Sequence, residues 1–207
     1  MPIALPLYFH ERFSKRATAT IYQRYHIMTT KSAAETNGPA RPDSALGRLE
    51  RLVGTWRMKG RPLGSDQDSI TATTTFKWLH DDDEKGSFFL QQDMDMDYAG
   101  KHIRSRELIG YDPKTKAFSS QVFSNMAPEP WPYSWDIQDD IWTISIKYGP
   151  MDASFRATFA ADGNSFSGGW RPSPGADTTI NTPYDVKGTR VESSPRPKRH
   201  DPEQRQR

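Results

Sequence analysis

The segment from Phe88 to Tyr111 constrains this chain more than any other. From Gln92 to Tyr98, larger or apolar side chains alternate with Asp93, Asp95 and Asp97, the period-two signature of a strand. Ala99-Gly100 suits a two-residue hairpin loop. Turning there sets Asp97 opposite His102, Asp95 opposite Arg104 and Asp93 opposite Arg106, so opposite charges meet across the strands. The other face then pairs Met96 with Ile103, Met94 with Ser105, Gln92 with Glu107, Leu90 with Ile109 and Phe88 with Tyr111. That face is apolar except at Gln92, Ser105 and Glu107. Polar groups turned inward must be hydrogen-bonded or used, so the pattern predicts a pocket.

The remaining segments repeat the strand theme. Asp43 or Ser44 can cap a short helix with Leu46, Leu49, Leu52 and Val53 on one face, suited to plugging one end of a domain. Gly54 to Gly60 reads as a first strand and Ser69 to Leu79 as a second, with Thr74 a polar exception on its inner face. Ala117 to Asn125 follows the turn at Asp112-Pro113. Looping at Asp139-Asp140 pairs Ile137 with Trp142, Trp135 with Ile144, Tyr133 with Ile146 and Trp131 with Tyr148. A turn near Asp162-Gly163 pairs Phe159 with Phe166, Ala157 with Gly168 and Phe155 with Trp170. Residues 171–180 form a candidate rim loop, and Asn181 to Val191 the last strand. About ten strands on short turns, with no strong internal helix, predict an all-β fold, an antiparallel up-and-down β-barrel; a two-sheet sandwich is the alternative.

Composition sets the boundaries. All six tryptophans lie between Trp56 and Trp170, whereas residues 1–43 and 193–207 are rich in Pro, Ser, Thr and charge without sustained periodicity. The expected organisation is a disordered N-terminal extension over 1–43, a barrel over 44–192 and a disordered basic tail over 193–207. The net charge of +2 conceals a mildly acidic centre between basic ends. An acidic centre argues against nucleic acid as partner. The absence of cysteine excludes disulfides, thiolate catalysis and Cys-ligated zinc. No apolar run reaches membrane-spanning length, so no membrane partner and a cytoplasmic location are expected. The basic, acid-poor composition of residues 1–34 loosely suits an organelle transit peptide, as the alternative. Oligomeric state is left open.

Three segments in order carry a family resemblance. Gly54-Thr55-Trp56 resembles the Gly-X-Trp of the first strand in calycins, the lipocalin-type barrels, and Arg190 resembles the arginine that packs across that tryptophan. With Glu107-Leu108-Ile109-Gly110-Tyr111-Asp112 and Gly188-Thr189-Arg190, the chain resembles a calycin-like family known as a domain of unknown function, over about residues 45–191. The resemblance implies a barrel with a central cavity, and a structural role for Trp56 and Arg190. Nitrobindin-like haem barrels also open on a Gly-X-Trp-X-Gly-X-Gly pattern. Here Met58 replaces their middle glycine, and no histidine lies between His102 and His200 to match their late haem ligand.

The candidate site follows from parity. Asp93, Asp95 and Asp97 are spaced about 7 Å apart along one strand face, too far for one ion, and arginines oppose them. His80 with Asp81, Asp82, Asp83 and Glu84 lacks the spacing of a calcium loop. No metal and no cofactor are expected. Gln92, Ser105 and Glu107 are the polar ligand contacts, with Trp78, Tyr111, Trp135 and Trp142 as walls. The leading function is binding of a small, largely apolar molecule in the barrel. The alternative is a cofactor-free isomerase, cyclase or dehydratase on a hydrophobic metabolite, with Glu107 as catalytic acid/base. A third class is an interaction module whose tails recruit partners. Limited proteolysis is expected to leave residues 44–192 as the resistant unit, because the flanks bury too little apolar surface to offset ordering. First cuts inside Phe88–Tyr111 would contradict it.

Overall fold

The computed structural model describes residues 42–80 and 86–191. The tails and the acidic loop 81–85, to which the extension, tail and His80-loop expectations refer, lie outside the described residues.

Ser44–Leu52 forms a 3₁₀ helix, the plug helix, capped by the Asp43 carboxylate, which accepts from the Ala45 N–H at 2.8 Å. Three residues per turn stack Leu46, Leu49 and Leu52 in one line, and all three are buried. Ten strands follow in chain order: β1 (Gly54–Pro62), β2 (Ile70–Trp78), β3 (Phe89–Tyr98), β4 (Lys101–Asp112), β5 (Ala117–Ser124), β6 (Trp131–Gln138), β7 (Ile141–Tyr148), β8 (Met151–Phe159), β9 (Ser165–Pro172) and β10 (Tyr184–Val191). Each pairs antiparallel with its sequence neighbour, and β10 returns to β1, so the sheet closes into a barrel without an edge.

The expected hairpin register holds from Leu90↔Ile109 to Asp97↔His102. Ala99 and Gly100 both take positive φ, 50° and 83°, the two-residue turn that matches strand twist. Outside, Arg106 pairs with Asp93 at 2.6 Å, and His102 and Arg104 share Asp95 at 2.7 and 3.3 Å. Desolvation is the largest single effect on Asp93 and raises it, but Arg106, Gln91 and Lys77 together outweigh it; at Asp95 the His102 hydrogen bond leads, and both carboxyls stand below their ordinary value. The pairing of Phe159 with Phe166, Ala157 with Gly168 and Phe155 with Trp170 also holds.

Three local expectations need correction. Phe88 does not pair with Tyr111: the ladder ends at Phe89↔Gly110, leaving Phe88 exposed. The β6–β7 ladder ends at Ser134↔Ser145, so Tyr133 does not pair with Ile146, nor Trp131 with Tyr148. Pro132 has no N–H to extend that ladder, and β6 parts from β7 at this end. Asn181 does not begin the last strand. It is buried in the preceding loop, where its carbonyl accepts from the Asp152 N–H at 2.9 Å and its amide donates to Pro150 and Asp177 carbonyls, both at 3.1 Å.

The plug helix closes the end of the barrel where β1 starts. Trp56 Nε1 donates to the Leu52 carbonyl at 2.8 Å, and the Trp56 ring packs against Phe166 and Phe159 at 5.3 and 6.0 Å. The Arg190 guanidinium lies 4.2 Å over the same ring. It donates to the carbonyls of Val53, Arg51 and Gly163, joining β10, the plug helix and the β8–β9 turn. Gly188 is required here: a Cβ would lie 2.2 Å from the Phe166 ring. Arg190→Ala would strand buried carbonyls as well as remove the stack, and is expected to destabilise the barrel by about 2–3 kcal/mol. Arg190→Lys should recover little of that, since an ammonium cannot spread over three carbonyls and a ring. Urea unfolding checks both.

Candidate functional site

Strand parity turns Thr74 on β2, Gln92 on β3, Ser105 and Glu107 on β4 and Ser120 on β5 to the interior. They form a polar belt on one wall. The opposite wall carries Ile144, Phe155, Ala157 and Val186, all buried.

Glu107 is the centre of the belt and only 7 % exposed. Its Oε1 accepts two hydrogen bonds, from the Ser120 hydroxyl and from Trp135 Nε1, the latter at 2.8 Å. Trp135 Nε1 also lies 3.0 Å from Ser120 Oγ, closing a three-membered network. Oε2 takes no hydrogen bond among the described residues. Desolvation dominates the electrostatics. It pushes the carboxyl up from its ordinary 4.5 to about 7, against the opposing effect of the two donors. Gln92 Nε2 reaches Thr74 Oγ1 at 3.5 Å, a long contact.

Below the belt the interior is packed. Trp142 spans the barrel axis and touches Phe76 of β2, Trp135 of β6, Phe155 and Phe159 of β8 and Phe166 of β9, at 5.0–6.2 Å. This aromatic layer is a floor. The Trp142 Nε1–H is buried in it without an acceptor among the described residues.

Above the belt several inward-facing side chains are less fully buried. Met58, Met94, Ile103, Ser105, Tyr133, Trp170 and Tyr184 all point inward yet keep intermediate exposure. Met58, Met94, Ile103 and Tyr184 pack against a second, smaller apolar cluster of buried Ile70, Ala72 and Met96. Two cross-barrel contacts frame this region: Tyr133 of β6 against Trp170 of β9 at 5.9 Å, and Tyr98 of β3 against Tyr184 of β10 at 5.6 Å. Burial raises all three phenols above their ordinary value of 10, Tyr133 being raised further by Glu107, so they stay protonated. Two clefts border the plugged end of the barrel, and the smaller is lined in part by Ser120. One, of about 720 Å³, runs beside the plug helix at Arg48 and Arg51; the other, of about 210 Å³, lies at Phe89 and Ser119; neither includes Glu107.

The structure therefore brings together Gln92, Ser105, Glu107 and Trp135. Trp78 and Tyr111 share the inner face but lie at the plugged end. There Trp78 Nε1 donates to Glu50 Oε2 at 2.6 Å, and Tyr111 packs on Phe118 at 4.9 Å. Trp142 belongs to the floor. Ser120, Tyr133 and Tyr184 were not singled out by the sequence, although parity along β5, β6 and β10 would place them inward.

The raised carboxyl has a measurable consequence. Between about pH 4.5 and 7 the native chain keeps a proton that the unfolded chain has lost. Stability should fall as pH rises across that window and level off above it, by about 3 kcal/mol at most, from 1.36 kcal/mol per pKa unit. Glu107→Gln should flatten that part of the profile, leaving the variant at least as stable as wild type at pH 8. Urea unfolding at pH 5 and pH 8 measures it; an unchanged slope in the variant would refute the assignment.

No helix among the described residues is long and apolar enough to cross a membrane. Among curated proteins no relative matches the sequence. Solved structures with a similar chain trace include an S-type phycobiliprotein lyase, CPES, from Guillardia theta. It is 13 % identical, with a TM-score of 0.46 over 73 % of this chain and 95 % of that one. They also include Rv2717c from M. tuberculosis, 15 % identical, with a TM-score of 0.36 over 73 % of this chain and 99 % of that one. The family model described as "Protein of unknown function (DUF1579)" matches residues 41–159, from just before the plug helix to the end of β8. With its plugged, closed barrel and its Trp56–Arg190 stack, the chain belongs to the DUF1579 family.

Proposed function

We propose that this barrel binds one small, largely apolar molecule in its open half, resting on the Trp142 floor and meeting Gln92, Ser105 and Glu107 on the polar wall. One observation carries the reading: inward-facing Met58, Met94, Tyr133 and Trp170 retain accessible surface in a barrel whose other end is packed and plugged. Apolar walls with a few convergent polar groups are the usual form of a small-molecule site. The unpartnered Trp142 N–H adds to this, because a buried donor without an acceptor costs about 1–3 kcal/mol that a ligand or water can relieve.

A second reading is favoured by the Glu107 carboxyl, held near pH 7 inside the barrel. A group poised there can take and return a proton at neutral pH, as a cofactor-free isomerase, cyclase or dehydratase requires. Glu107→Gln separates the two. Under the enzyme reading it keeps the ligand and loses turnover.

The binding reading is tested by fluorescence titration with Nile red, a neutral apolar probe. Saturable binding at one site per chain is expected. Ser105→Trp, which fills the space above Glu107, should weaken it at least about tenfold, or 1.4 kcal/mol, while leaving the thermal midpoint near that of wild type. Absence of saturable binding to the wild-type chain, or equal binding to the filled variant, would overturn the proposal.

A further inference from the structure

We propose that the molecule held in the barrel carries a basic nitrogen, an amine or ammonium group on an apolar body, which pairs with Glu107 Oε2 beneath the aromatic side chains of the open half. This deepens the binding reading above and rests on it.

Among the described residues, the strand positions that face the axis hold three charged side chains. Arg190 lies at the plugged end, spent on the Trp56 ring and three carbonyls. Lys101 lies at the rim, exposed at the tip of the β3–β4 hairpin. Between them stands Glu107 alone. The other arginines and lysines of the strands face outward by parity, and several are held there, such as Arg106 on Asp93 and Arg171 on Asp185. No side chain of the barrel gives Glu107 a counter-charge.

The carboxyl is nevertheless prepared for one. Ser120 and Trp135 both donate to Oε1, which favours the ionised form and fixes the plane of the group. Oε2 is left without a hydrogen-bond partner among the described residues. A buried carboxylate lacking a cation is strongly disfavoured, whereas one joined by a cation is not. A ligand that brings the positive charge completes an arrangement the protein leaves half built.

The surroundings select the same sign. Trp135, Tyr133, Trp170 and Tyr184 line the inner face near Glu107 with aromatic rings and neutral phenols. Aromatic faces attract cations, and most strongly where water is excluded. An anionic ligand would meet the Glu107 charge and no compensating base. A neutral ligand would find the apolar walls but leave Oε2 unpaired or protonated. The titratable groups around the carboxyl are Tyr133 from β6, with Tyr184 from β10 and Tyr98 from β3 further toward the mouth; all three are held neutral by burial, so none substitutes for the missing cation.

Calorimetric titration of the full-length protein at pH 8 with naphthylmethylamine, naphthalenemethanol and naphthoic acid tests this, since the three share one apolar body. The amine should bind at least about tenfold more tightly than the alcohol, and the acid weakest. In Glu107→Gln the amine should lose its advantage over the alcohol. Equal binding of amine and alcohol to wild type would overturn the inference and leave the binding reading standing. An amine preference that survives in Glu107→Gln would overturn the pairing with Glu107. If none of the three binds and Nile red does not bind either, the binding reading itself fails, and this inference with it.

Discussion

Closure of the barrel at the Trp56–Arg190 stack is the interaction on which the other features depend. Strand β1 can pair with β10 only if the two ends of the sheet meet in register, and Trp56↔Arg190 lies in that ladder. The same arginine reaches the carbonyls of Arg51 and Val53, so closing the sheet also seats the plug helix. Arg48 and Arg51 repeat the device, lying 4.6 Å over Phe118 and 4.2 Å over Phe159. Three guanidinium groups thus cap the aromatic end of the barrel, each able to cover a ring while its N–H groups satisfy backbone.

That closure makes the interior asymmetric along its axis. Leu46, Leu49, Leu52, Phe76, Trp142, Phe159 and Phe166 fill one end. At the other end β6 leaves β7, and Asn181 ties the β9–β10 loop to the start of β8. The packed floor also explains the state of Glu107. A carboxyl standing on an aromatic layer loses its hydration, and two neutral donors do not restore it. A natural core would place a leucine there. Retaining an acid lowers stability at neutral pH, and that is intelligible if the group serves something other than the fold.

Period-two alternation and one two-residue turn were enough to read β3 and β4 in the correct register, because a hairpin is local: its partners lie within a few residues and a one-residue slip would invert both faces. Face was therefore legible for Gln92, Ser105 and Glu107. Depth was not. Trp78 and Tyr111 share the face of Glu107 but stand beside the plug, because strand tilt and stagger decide which residues of different strands share a level. Ser120 and Trp135 lie 13 and 28 residues beyond the carboxyl they bond, and only the closed sheet brings them to it.

The amino-acid sequence by itself determined the class of fold, the order of strands and which side chains look inward, since each follows from local period, turn chemistry and the Gly-X-Trp to Thr-Arg pairing of the first and last strands. Tertiary structure decided which end is sealed, where β6 and β7 part, and that one carboxyl inside has two donors and no cation. Those depend on how ten tilted strands are staggered around a common axis, a relation that no single strand contains.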